Sequence, residues 1–137
     1  MLKLIRINDT ATGTPDIVDC FIKPGVYISS GEPYALSVDG LTNEISYDKP
    51  IFVACETHQS VEEGQLASVK CYQVMPGMEF ETACHPDSIF SIINGSLVDV
   101  CYNDGTAVAK KAVEGGKFII SDTMNVYLDE ILKVKAI

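Results

Sequence analysis

A chain of 137 residues, 47% hydrophobic and 21% charged, is long enough for an ordinary core and too apolar to stay disordered. Its formal net charge of -9, from 10 basic and 19 acidic residues, disfavours nucleic acid and anionic membranes as partners, since phosphate binding depends on Lys and Arg. No apolar run is long enough to span a bilayer as a helix, and residues 1–6 lack the apolar stretch of a signal peptide, so a soluble chain made in the cytoplasm is expected.

Strand-like runs recur at 2–7, 17–22, 26–28, 34–38, 51–56, 66–75, 78–82, 89–93, 97–102, 106–109, 117–121 and 126–135. Turn residues separate most of them, among them Pro24-Gly25, Asp39-Gly40, Pro76-Gly77, Asn94-Gly95 and Asp104-Gly105. The polar stretch 8–16 reads as a flexible arm or long loop. Within 66–75, Val69 and Cys71 start on one face, and Tyr72 and Val74 then carry the apolar set to the other. A β-bulge, or a strand crossing between two sheets, produces such a change of phase. Met78-Glu79-Phe80-Glu81 alternates strictly, so one face is buried and the other wet. The run 97–102 is apolar on both faces except at Asp99, as in a central strand. For 126–135 the β-branched residues favour a strand, with a short helix at 126–132 as the alternative. No internal repeat or linker is evident. The spacing predicts a single β domain over residues 1–137: all-β, a small barrel or sandwich of many short, mainly antiparallel strands with little helix.

The chemical inventory is thin. Cys20, Cys55, Cys71, Cys84 and Cys101 are an odd number in a reducing compartment, so no disulfide framework is expected. Most sit among apolar neighbours and read as small buried hydrophobes. Cys55-x-x-His58 and Cys84-His85 together supply four potential zinc ligands, yet adjacent residues point to opposite sides of an extended chain. The same residues could form a Cys–His nucleophile, an arrangement recognised by geometry and not by spacing. Glu79 and Glu81 share a strand face and could act as paired carboxylates, or simply form its solvated side. Glu62-Glu63-Gly64 and Glu114-Gly115-Gly116 read as polar turns, and Gly115-Gly116 lacks the Lys-Ser/Thr of a phosphate loop. Tyr27, Tyr34, Tyr47, Tyr72, Tyr102 and Tyr127 read as strand residues with satisfied hydroxyls. No catalytic, cofactor-binding or metal residue is assigned, and the chain is not expected to be an enzyme.

One stretch carries a likeness. The run Val69-Lys70-Cys71-Tyr72-Gln73-Val74-Met75-Pro76-Gly77-Met78-Glu79-Phe80-Glu81-Thr82 resembles a segment of the tailed-phage capsid decoration (auxiliary, or cement) proteins. There a strand, a Pro-containing turn and a Met/Phe-Glu-Phe-Glu-Thr strand precede a hairpin, matched here by Gly95-Ser96-Leu97-Val98-Asp99-Val100 and Asn103-Asp104-Gly105-Thr106. Residues 31–37 and 50–54 also suit such small barrels. The likeness implies a β-rich module on the virion's capsid exterior that binds the major capsid protein as a homo-oligomer, a trimer by preference, and stabilises the expanded shell. Its motifs are structural, and the cysteines and the long 84–93 loop depart from the pattern. Two alternatives remain open. One is a head-fibre base or another head, neck or tail component. The other is a small cytoplasmic β-barrel enzyme or metal-binding module using Cys55, His58, Cys84 and His85.

Overall fold

In a computed structural model of the protein, which describes residues 1–7, 15–46, 48–59, 61–112, 116–122 and 131–137, the alternating runs fold almost entirely as strands. They are β1 (Lys3–Arg6), β2 (Val18–Phe21), β3 (Pro33–Leu36), β4 (Thr42–Asn43), β5 (Phe52–Ala54), β6 (Ser68–Gln73), β7 (Glu79–Ala83), β8 (Leu97–Asn103), β9 (Thr106–Lys111), β10 (Phe118–Asp122) and β11 (Ile131–Ala136). The helical element among the described residues is one 3-10 turn, Pro86–Ser88. The all-β class with antiparallel sheets is therefore as the pattern predicts. The chain divides into two compact units, Pro15–Val74 on the one hand and Met1–Thr14 with Met75–Ile137 on the other.

In the Pro15–Val74 unit the strand order is β2-β6-β5-β3-β4, every pair antiparallel. The sheet curls until its ends meet in a parallel bridge between Phe21 and Leu41. Cys20, Ile22, Ile28, Tyr34, Ala54, Val69 and Cys71 form its core. Strand β6 is buried at Val69 and Cys71 on one face and at Tyr72 on the other. After Val74 the chain leaves this sheet for β7 in the other, so the change of phase accompanies a crossing between sheets.

The second unit has the order β1-β7-β11-β10-β8-β9, again antiparallel throughout. Its chain enters through Met75-Pro76-Gly77-Met78. The Met78 N–H donates to the Met75 carbonyl at 3.1 Å, and Gly77 has φ 92, the geometry that Pro-Gly favours at the centre of a type II turn. Strands β8 and β9 join through Asp104 and Gly105 at φ 52 and 80, and two positive φ values give a hairpin turn that matches strand twist. Phe80 and Phe118 meet edge to face, centroids 6.2 Å apart, inside the sheet. This sheet also curls closed, through a parallel bridge between Cys84 and Ala109.

With β1 set aside, the two sheets share one plan. In each, five strands in chain order lie side by side as first, fifth, fourth, second and third, and a parallel bridge joins first to third. Register agrees residue by residue. Cys20 opposite Val69 corresponds to Thr82 opposite Leu132, and Ala54 opposite Cys71 corresponds to Ile120 opposite Val134. The turns agree too. Val26 N–H bonds the Lys23 carbonyl (3.1 Å) across Pro24, as Ser88 N–H bonds the His85 carbonyl (2.9 Å) across Pro86. Large and small residues trade places inside: Tyr34 and Ala54 stand where Val98 and Ile120 stand, which keeps total volume similar. The absence of a repeat in the sequence thus gives way to a structural one.

Two expected strands are corrected. Residues 26–28 supply a single bridge, Ile28 to His58. Residues 89–93 follow the 3-10 turn and are not a strand, because Pro86 and the His85 cap turn the chain away from a ladder. The two-residue β4 was not expected. Most of the 8–16 arm, Tyr47, Glu114-Gly115, and residues 123–130 with Tyr127 lie outside the described residues.

Candidate functional site

The residues with the most reactive side chains are spread over both units. Cys55 is exposed just beyond β5, and its N–H bonds the Lys70 carbonyl at 2.8 Å. Partial burial, with the Glu56 charge beside it, pushes its thiol up from the usual value, the opposite of nucleophile activation. His58 is held by its backbone, which exchanges two bonds with Ile28 (2.8 and 3.1 Å), while its Nδ1 lies 2.8 Å from the Gln59 carbonyl. That oxygen can only accept, so Nδ1 carries the proton.

Cys84 and His85 belong to the other unit. Cys84 is buried, with Sγ 3.5 Å from the His85 carbonyl. The His85 ring caps the 3-10 turn: its Nδ1 accepts the Asp87 N–H at 3.0 Å. A ring nitrogen used this way is not available as a ligand through the same lone pair. Among the described residues no three His, Cys, Asp or Glu side chains gather where they could hold a metal ion.

Glu79 and Glu81 resolve into a charge ladder. Glu81 on β7 stands opposite Lys3 of β1 and Lys133 of β11, and Glu79 stands opposite Arg6 and Lys135. Opposite charges across strands stabilise a sheet by a few tenths to about 1 kcal/mol per pair. Their alignment is that of sheet pairing. The described tyrosines divide: Tyr34 and Tyr72 are buried, while Tyr27 is exposed. The Tyr34 hydroxyl accepts the Ser29 N–H at 3.0 Å, and burial raises its pKa.

The remaining cysteines pack in cores or on strands. Cys20 and Cys71 are buried diagonal neighbours on β2 and β6, and each thiol influences the ionisation of the other. Burial is the largest influence on each and raises both pKa values. Cys101 on β8 is also raised by burial, against the lowering effect of Lys110.

A shallow pocket of about 270 Å³ opens beside the ends of β1, β7 and β9, lined by Met1, Lys3, Glu81, Thr82, Thr106 and Ile131 among others. Met1 N donates to Thr106 Oγ1 at 2.9 Å and to the Ala107 carbonyl. Thr82 is 4% exposed, and its hydroxyl has no hydrogen-bond partner among the described residues. Aliphatic stems dominate the lining, and Lys3 and Glu81 stand opposite each other in the strand register.

More distinctive is what stands outside. Phe90 and Ile93, in the loop between β7 and β8, are 88% and 71% exposed. On β2, an edge strand among the described residues, Val18 and Phe21 are each more than two-fifths exposed, as is Ile17 just before it. No family model, curated protein or solved structure matches the chain.

Proposed function

We propose that this chain is a non-enzymatic structural protein of a tailed-phage virion, which binds the major capsid protein on the capsid exterior and stabilises the shell. What carries the reading is the likeness of 69–82, 95–100 and 103–106 to the decoration proteins, in segments whose matching positions have structural jobs. Pro76-Gly77 is a tight turn, Phe80 and Thr82 fill a sheet interior, and Asp104-Gly105 closes a hairpin. A protein of this kind gains affinity by touching several subunits at once and needs no reactive group. A trimer, as the likeness implies, multiplies each weak contact threefold. The exposed Phe90 and Ile93 lie in the 84–93 loop, which departs from the family pattern, and offer apolar side chains that a protein partner could cover. The net charge of -9 favours docking on a basic surface.

The test is co-sedimentation with shells assembled from the major capsid protein of the same virus. The reading expects the protein in the pellet with the shells and in the supernatant without them. Protein that stays in the supernatant in both cases would sink it.

A further inference from the structure

Strand β7 carries β1 along its outer edge, whereas its counterpart β2 carries no strand there among the described residues. The register makes the comparison residue by residue. Asp19 corresponds to Glu81, since they face Lys70 and Lys133 respectively, and Val18 corresponds to Phe80, since they face Cys71 and Val134. In the second unit Lys3 sits opposite Glu81 on the far side, and Leu4 opposite Phe80. Among the described residues no strand residue stands opposite Asp19 or Val18 on that side of β2. Val18 is 42% exposed where Phe80 is fully buried.

The backbone is ready for such a neighbour. Ile22 N–H bonds the Ala67 carbonyl at 2.9 Å, so alternation along the antiparallel ladder directs Val18 and Cys20 to β6 as well. Asp19 and Ile17 then turn their N–H and C=O groups outward, as Glu81 and Glu79 do toward β1. At the far end Phe21 meets Leu41, which fixes where an added strand must stop. Exposed apolar side chains beside unpaired edge groups are what strand addition uses.

We infer that the outer edge of β2 binds an extended segment of a partner protein, running antiparallel, with Lys or Arg opposite Asp19 followed by an aliphatic residue opposite Val18. Charge selects this occupant. Asp19 has a cation on one side only, Lys70 at 3.3 Å, whereas Glu81 has one in register on each side. A second copy's β2 would instead bring Asp16 and Asp19 against the same acidic edge. The inference does not rest on the capsid reading and applies to any protein partner.

A blocked peptide with the sequence of residues 1–6, Met-Leu-Lys-Leu-Ile-Arg, serves as probe at millimolar concentration, and amide exchange of the full chain is followed by NMR. The peptide should slow exchange at Ile17 and Asp19 and leave Glu79 and Glu81 unchanged. Asp19→Lys should weaken binding by about tenfold, and a peptide with Glu in place of its Lys should recover it on that variant. Asp19→Asn gives an intermediate loss without reversing charge. Unchanged exchange at 17–19, or binding indifferent to both charge swaps, overturns the inference. Protection at 17–19 that grows with protein concentration alone also overturns it, in favour of a second copy.

Discussion

Gly31 and Gly95 occupy the same place in two versions of one turn. Their φ values are 82 and 88, and each donates its N–H to a carbonyl of a neighbouring strand, that of Ala54 at 2.8 Å and that of Ile120 at 2.9 Å. The return bonds match as well, Ala54 N–H to the Glu32 carbonyl and Ile120 N–H to the Ser96 carbonyl, at 3.1 and 2.9 Å. A side chain at such φ costs about 1–2 kcal/mol. Gly31→Ala and Gly95→Ala should therefore each lower unfolding free energy by about that amount in urea titration. A neutral result at either position would break the equivalence of the two turns.

Thr82 offers a stabilising change. Its buried hydroxyl lacks a partner, and the corresponding residue Cys20 is a softer, less polar group. Removing an unpaired buried hydroxyl while keeping the shape recovers part of a desolvation cost of about 1–3 kcal/mol. Thr82→Val should raise stability by about 1 kcal/mol, and Thr82→Ala, which also deletes a methyl, should not. A loss on Thr82→Val would mean that the hydroxyl has a partner in solution.

The buried thiols set an alkaline limit. Cys20 and Cys71 have folded pKa values raised above the ordinary 9.0, chiefly by burial. Below pH 9 both states hold the protons and stability is whole. Above it the unfolded chain ionises before the folded one, and Cys71, the more strongly raised of the two, removes up to about 1.4 kcal/mol per pH unit. Cys71→Val, which copies Val134 at the corresponding position, should flatten the fall between pH 9 and 10 by about that slope. Denaturant midpoints at pH 7, 9 and 10 read it directly. An equal slope in the variant would remove Cys71 from the account.

Phe90 and Ile93 separate docking from folding. Both are largely exposed, so Phe90→Ser and Ile93→Ser should leave stability within about 0.5 kcal/mol. If the loop is an anchor, each should weaken shell binding by roughly tenfold or more, a cost of at least about 1.4 kcal/mol. Full binding by the double variant would move the docking surface elsewhere.

The strands were legible because period 2 is a local signal, as in Met78–Glu81, and because Pro76-Gly77 and Asp104-Gly105 encode turn geometry directly. The repeat was not. Identity survives at Pro24 and Pro86, Gly31 and Gly95, Phe52 and Phe118, and Lys70 and Lys133, too sparse to read without the register. A ladder constrains which residues face inward far more than which apolar residue is chosen. The run 89–93, expected as a strand, is a loop with Ile92 inside and Phe90 and Ile93 outside. For the chemical residues, spacing brought Cys, His and Glu together on paper. Caps and cross-strand pairing account for His85, Glu79 and Glu81 in the fold.

The central claim is that this protein is a stoichiometric component of a capsid surface. Titrating it onto undecorated shells and measuring bound protein per major capsid protein tests this most directly. The account predicts saturation at a fixed ratio, with one trimer filling each local threefold position. Uptake that never saturates, or none at all, would contradict it.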